Sequence, residues 1–262
     1  MLYAGAASAD PDFVVVQSPK QLLLSDERIT RWFAARDGDV TLDPDAPTKI
    51  ASMIDRKGIG NATSAADDAL KPALSTLAAY GGRKAAIFAA DADRSLAVPS
   101  VDFSSGPFFI AALVRRGAVN VANGDTLFWT GGGAGSPEVR VTATGSGTSF
   151  QFFVRGQGVN IPAGGSYPDA VPKLVFASYD GANAKGAIGT TGATVSAAIS
   201  GGTLPSAGQP AFVGKRTFVP TTFWAGDVAQ IIVGNVDILA PAHEDLRERI
   251  ATYLGEYYGL SL

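Results

Sequence analysis

The sequence predicts an all-β protein, a two-sheet antiparallel sandwich with one amphipathic helix at its C-terminal end. Three observations carry this. From about residue 100 onward, short runs rich in Val, Ile, Phe and Thr recur at roughly ten-residue spacing, each bounded by Gly, Asn, Asp or Ser. Turn formers are abundant, with 31 glycines and 15 prolines among 262 residues, well above the ordinary share of roughly 12%. Finally, 3.6-residue apolar periodicity is clear in a single stretch, Pro241–Tyr258.

The elements follow in chain order. Residues 1–25 hold one apolar burst, Phe13 to Val16, then Leu22 to Leu24, with Ser18-Pro19 between. Neither shows helical periodicity, so the expectation is an edge strand plus a connector, or an arm for attachment. Residues 64–80 are rich in Ala and Leu, but Pro72 would remove a helical donor and clash with the preceding turn. Strands are then expected at 107–115, 126–130, 138–144, 149–155, 173–180, 185–190, 211–215 and 227–233. Glu138, Arg140 and Thr142 alternate with Val139 and Val141, as in a strand with one wet face. The runs FFIAAL and AQIIV are apolar throughout, as expected of strands buried on both sides. Glycines at 131–135, 164–165 and 201–202 mark turns. In the closing helix Leu246, Ile250, Tyr253, Leu254 and Tyr257 form one stripe. Pro241 suits its first turn, Glu244 and Asp245 the positive end of its dipole, and Gly259 its stop. No repeat and no second domain are visible.

Composition excludes several functions. Charged residues are 17% and hydrophobic ones 46%, which fits neither a disordered tail nor a coiled coil. A net charge of −3 gives no electrostatic reason to bind nucleic acid. Cysteine is absent, which removes disulfides, thiolate metal sites and cysteine nucleophiles. The lone histidine, His243, removes His-rich zinc sites. The first twenty residues lack a basic start, and Asp10 and Asp12 interrupt any apolar core, so secretion by the general route is not expected. No apolar run approaches the roughly 20 residues of a membrane span.

Glycan cleavage by paired carboxylates would place acids at alternating positions on one strand face. The candidate strand GDVAQIIVGN (226–235) offers Asp227 alone, with Gln230 and apolar residues where partners would stand. His243 sits beside Glu244 and Asp245 in a helix start, which suits a surface residue better than a triad base. The expectation is therefore a protein that is not an enzyme, with no catalytic residues. The loop at 131–135 lacks the Lys-Ser/Thr of a phosphate cradle. Calcium could be held by hard oxygen ligands in turns, with Asp55 and Asn61 or Asp91 and Asp93 as candidates. The competing account is solvated turn residues that start Asx turns; otherwise no cofactor is expected. For sugars, which stack on flat rings and bond to amides and carboxylates, the candidates are Trp129, Tyr167, Asn123, Asp125 and Arg155. Trp32 and Trp224 stand in apolar contexts that suit the core.

Four stretches carry a resemblance. ITRWFAARDGDVTL (29–42) looks like an opening strand in which a tryptophan precedes a short Ala/Asp turn. IASMIDRKGIGNAT (50–63) is similar to a pattern W-x-D-x-S-G-x-G-N-x-A, matched at Asp55, Gly58, Gly60 and Asn61, with Met53 in place of the aromatic and Lys57 of the serine. GGRKAAIFAADADRSLAV (81–98) matches a buried Phe before a turn at Phe88, Asp91, Asp93 and Leu96, with Ala90 where glycine is common. FWAGDVAQIIVGN and the helix ending YLGEYYGL look like a last strand and closing helix, with Gln230 in place of a frequent glutamate. Together these resemble the concanavalin A-like lectin/glucanase superfamily, and within it the laminin-G-like jelly-roll domains common in bacteriophage structural proteins.

The resemblance covers about residues 29 to 260. It implies a jelly roll over 29–262 preceded by an attachment segment at 1–28, and it makes 64–80 an extended connector. It also implies a virion surface protein, a fibre, spike or decoration subunit assembled in the bacterial cytoplasm. Its partners would be other virion proteins, sister subunits in a homo-oligomer, and host surface polysaccharide. The alternatives are a purely structural decoration module and a glycan-degrading enzyme with unfamiliar acids.

Overall fold

Continuous apolar runs need cover on both faces, and alternating runs need it on one; the arrangement of the sheets follows from that difference. The computed structural model describes residues 17–89, 93–117, 125–132, 137–144, 148–163, 168–216 and 222–262. The chain opens with a helix, α1 (Pro19–Ser25), then β1 (Ile29–Ala34), β2 (Val40–Leu42), β3 (Ile50–Met53), β4 (Ala62–Ser64), β5 (Ala73–Leu77), β6 (Arg83–Phe88) and β7 (Leu96–Val98). There follow β8 (Phe108–Arg116), β9 (Asp125–Gly131), β10 (Glu138–Ala143), β11 (Ser149–Val154), β12 (Gln157–Pro162) and β13 (Lys173–Tyr179). The last elements are β14 (Asn183–Ile188), β15 (Val195–Ala198), β16 (Ala211–Val213), β17 (Gly226–Gly234) and the helix α2 (Glu244–Tyr258).

The strands form two antiparallel sheets. Sheet A runs β15-β14-β13-β8-β17-β6-β5, and sheet B runs β12-β11-β10-β9-β16-β7-β4-β3-β2. β17 shares one edge between two partners, with Gly226–Val228 against β6 and Gln230–Gly234 against β1. The result is an all-β jelly-roll sandwich closed by a C-terminal helix. In β8, Phe108, Ile110, Ala112 and Val114 enter the core between the sheets, whereas Phe109, Ala111 and Leu113 enter a second cluster outside sheet A. That explains the unbroken FFIAAL run, since both faces of β8 lie in apolar surroundings.

The second cluster is roofed by the helices. Leu246, Ile250 and Leu254 of α2 and Leu23 of α1 are buried in it with Trp32 and Tyr80. Gln230, the one polar side chain facing this layer from the middle of β17, accepts from Trp32 Nε1 at 2.6 Å and donates to Tyr258 Oη at 3.2 Å. The helix stops where expected, at Gly259 in the left-handed region with φ 66°.

Two segments test the sequence reading of the N-terminal third. Residues 64–80 form no α-helix; they run through β4, two single 3₁₀ turns and β5, and the Pro72 carbonyl accepts from Ile50 N–H at 2.9 Å. Residues 19–25, expected as a strand or connector, are instead α1. Ser18 caps it by accepting from Gln21 N–H, while the Gln21 side chain accepts from Ser18 N–H, and Pro19 occupies the first turn. Seven residues are too few to display a period, so the capping pair was the legible signal. Arg28 pins α1 to α2 through Asp26 at 2.8 Å and Asp245 at 2.7 Å, and Arg249 reaches the same two carboxylates. The apolar burst at 13–16 lies outside the described residues. Among the described residues no helix is long and apolar enough to cross a membrane.

Candidate functional site

Among the described residues both α-helices pack on sheet A, and no helix packs on the outer face of sheet B. Strand alternation decides what that face carries. In β10 Val139 and Val141 point into the core, so Glu138 and Arg140 point out; in β11 Phe150, Phe152 and Val154 point in, so Gln151 and Phe153 point out. In β16 Ala211 and Val213 point in and Phe212 points out, beside Trp129 of β9.

These outward side chains stack in a row across four strands. Lys215 Nζ lies 4.8 Å from the Phe212 ring centroid, and Phe212 stacks on Trp129 at 6.2 Å with planes 20° apart. Trp129 is paired across the ladder with Arg140, whose guanidinium lies 4.1 Å over Phe153. Glu138 ties the row together by accepting from Trp129 Nε1 at 3.2 Å and pairing with Arg216 at 3.0 Å. Arg140 has its affinity for its proton lowered, first by burial and then by the neighbouring Arg216 charge, against which Glu138 acts; it remains a cation. Beyond Phe153, Gln151 donates to Asn160 at 2.8 Å on the exposed side of β11 and β12. The face thus offers half-buried rings, guanidinium donors and side-chain amides along one line.

A cleft of about 520 Å³ lies beside Pro137, which precedes Glu138 in the chain, and is lined by Ser104, Pro137, Arg155, Thr203, Ser206 and Gln209 among others. Arg155 N–H donates to the Glu138 carbonyl at 2.9 Å, so row and cleft meet at Pro137–Glu138.

The sugar candidates named from sequence fall in different places. Arg155 lines the cleft. Trp129 is 1% exposed, so its ring is a packed member of the row and not the open stacking platform expected; Phe212, Glu138 and Arg140 cover it. Asp125 is buried at the start of β9, paired with Ala143 in the ladder. Asn123 and Tyr167 lie outside the described residues, as does Asp91. Trp32 and Trp224 are fully buried, as expected.

The calcium candidates hold other partners. Asp55 Oδ1 accepts from Trp32 and Lys57 N–H at 3.0 Å each, and Oδ2 accepts from Ile59 N–H at 3.3 Å. Asn61 Oδ1 accepts from Asp55 N–H. Lone pairs that a cation would need face amide protons instead, so the pair closes its own loop. Asp93 lies 3.7 Å from Lys215 Nζ. Among the described residues no three His, Asp or Glu side chains converge as ligands. Asp227, alone on its strand, pairs with Arg115 at 2.5 Å; burial raises its proton affinity, and the Arg115 hydrogen bond opposes that.

Sequence reasoning missed Arg140, Phe153, Phe212, Lys215 and Arg216. Part of the signal was present: Phe153 shares the parity of Gln151, which marks an aromatic on a wet face. The partnership of residues near 129, 140 and 212 needed the strand order.

The fold is a jelly-roll sandwich whose sheet B carries an outward-facing row of rings and guanidinium groups. No protein-family model and no curated protein matches the sequence. Among solved structures the chain is similar to Domain 4 of AbnA, a GH43 extracellular arabinanase from Geobacillus stearothermophilus in complex with arabinotriose. The TM-score is 0.57 at 14% identity, over 84% of this chain and 98% of that one. It is also similar to Trypanosoma rangeli sialidase, with TM-score 0.54 and 11% identity over 89% of this chain. The chain spans about a third of that sialidase, 33% of its length. Mouse laminin alpha1 chain, domains LG4-5, matches more weakly, at TM-score 0.40 and 12% identity over 55% of this chain.

These likenesses correct one expectation. The chain was expected not to be an enzyme, for want of alternating acids on a strand. Its structural neighbours include a sialidase and a domain of an arabinanase, so the fold does not set it apart from glycan-cleaving enzymes. The physical flaw is plain: carboxylates that meet in space can come from different strands, and spacing along one strand is no test for them.

Proposed function

We propose that this chain is a carbohydrate-binding sandwich domain that receives a saccharide on the outer face of sheet B. The observation that carries it is the row Lys215–Phe212–Trp129–Arg140–Phe153 on sheet B, on whose outer face no helix packs among the described residues. Sugar rings present C–H faces to aromatic rings and hydroxyls to charged donors and amides, which this row and the Gln151–Asn160 pair supply together. The neighbour Domain 4 of AbnA, solved with arabinotriose, supports the choice of ligand class. The test is titration of the intact chain with a polysaccharide panel. Saturable binding is expected, and F153A combined with F212A should weaken it by about tenfold or more while the circular dichroism is unchanged. A folded chain that binds no member of the panel overturns the proposal. Release of reducing ends during the same incubation would mark the chain as glycan-active.

A narrower proposal places the domain on a phage or phage-like virion, in contact with host polysaccharide, with sister subunits and other virion proteins as partners. It rests on the four sequence motifs alone. In it residues 1–28 act as the attachment segment. Because 19–25 form the docked helix α1, the deletion that tests this is confined to 1–16. Assembly into particles unchanged by that deletion counts against attachment through it.

A further inference from the structure

Arg155 is distinguished by its backbone. It occupies the first position of the two-residue turn between β11 and β12, with φ 56°, and Gly156 follows at 75°. Two positive φ values in a two-residue hairpin define a turn that favours Asn, Asp or Gly, and among the described residues Arg155 is the one non-glycine residue with positive φ. Among the described residues its side chain has no hydrogen-bond or ion-pair partner. Nε is buried without a hydrogen bond, the guanidinium rests 5.7 Å over the Tyr179 ring, and no ion pair joins it to a carboxylate. Arg28, Arg56, Arg115, Arg116 and Arg216 each hold an Asp or Glu, whereas Arg94 and Arg140, like Arg155, carry an unbonded Nε; of these three, Arg155 is the one that lines the cleft.

What surrounds the guanidinium is a cleft of about 520 Å³ with hydroxyl and amide groups on its walls, from Ser104, Thr203, Ser206 and Gln209. That volume falls within the range of small-ligand sites. The acid two residues before Ser104, Asp102, is engaged by the Ser104 hydroxyl at 2.6 Å and the Ser104 N–H at 2.9 Å. Those two bonds hold its carboxyl below the usual range. A cation desolvated on one side, aimed into a polar cleft and left without a counter-ion is arranged to receive one from outside.

We infer that the cleft is an anion subsite, in which Arg155 receives the carboxylate of an acidic sugar while the wall groups bond its hydroxyls. The planar guanidinium matches a carboxylate by two parallel hydrogen bonds. The inference rests on the carbohydrate-binding proposal, since the cleft reaches Pro137, next to Glu138 of the row, and the Arg155 N–H donates to the Glu138 carbonyl.

The experiment compares each acid with its own neutral form. The intact chain is titrated with oligogalacturonate, oligomannuronate and oligosialic acid, and with the methyl ester of each. At least one acid should bind about tenfold tighter than its ester, with a preference that shrinks as salt rises. R155G places glycine where the backbone favours it, so the variant folds, and it should bind acid and ester alike. Equal affinity of the unaltered chain for every acid and its ester overturns the inference and leaves the carbohydrate-binding proposal standing. So does a preference that survives in R155G. Absence of binding to all six overturns the inference; absence across the neutral panel as well overturns the proposal beneath it. A sulfated galactan that competes fully with the preferred acid in R155G would place anion recognition elsewhere and also overturn it.

Discussion

At the scale of single residues, two buried polar groups set the cost of substitution. Arg116 is fully buried against Asp169, with Nη2 to Oδ1 at 2.7 Å. Burial would raise the Asp169 carboxyl, but the side-chain and backbone hydrogen bonds from Arg116 outweigh it and hold the group below the usual range. D169N removes the carboxylate charge that faces the buried Arg116 guanidinium, so it should cost about 3–5 kcal/mol in urea denaturation. A loss below about 1 kcal/mol would show that water reaches the guanidinium. Gln230 bridges Trp32 and Tyr258. Q230L strands both an indole N–H and a phenol, and should cost about 2–4 kcal/mol by the same measurement. Gln230 was visible in the sequence as a polar interruption of an apolar strand. Its role was not, because its partners lie on a strand and a helix far apart in the chain.

At the scale of elements, the clasp between α1 and α2 is where pH acts. The Asp245 carboxyl is held well below the usual range by the Arg28 and Arg249 hydrogen bonds. Asp26, which burial alone would raise, is also held low by Arg28 and Arg249. Groups depressed in the folded state contribute stability above their unfolded value of about 4 and lose it as pH falls through the folded one. Asp245 is more than half exposed, so water and salt screen its share. The protection of α1 amides, taken relative to their intrinsic exchange rates, should therefore fall as the pH drops below about 4, ahead of that of β8 and β17. An equal loss of protection in all three would rule out a local clasp. Elements with two apolar faces, β8 and β17, were legible from composition alone. α1 was not, because it buries a single leucine, Leu23, and a seven-residue helix is held by its cap and its ion pairs.

At the scale of the whole molecule, the sandwich was readable and the row on sheet B was not. Strand spacing and the terminal stripe reflect local periodicity, which a linear chain displays. The row on sheet B joins β9, β10, β11 and β16, and the last of these enters more than fifty residues after β11. Its register depends on a pairing order that no local pattern records. Trp129 shows the difference: its place at a strand end was evident, but the ring that stacks on it, Phe212, belongs to a distant turn of the chain. The same order fixes when the protein can exist at all. β17 lies in the interior of sheet A, flanked by β8 on one side and by β6 and β1 on the other. A chain ending at residue 225 should therefore show no cooperative melting transition; a sharp one would mean that β8 pairs with β6 directly. On the ribosome, β1, β6 and β8 must wait beside an empty slot, and the nascent polypeptide depends on chaperones or on speed until β17 emerges.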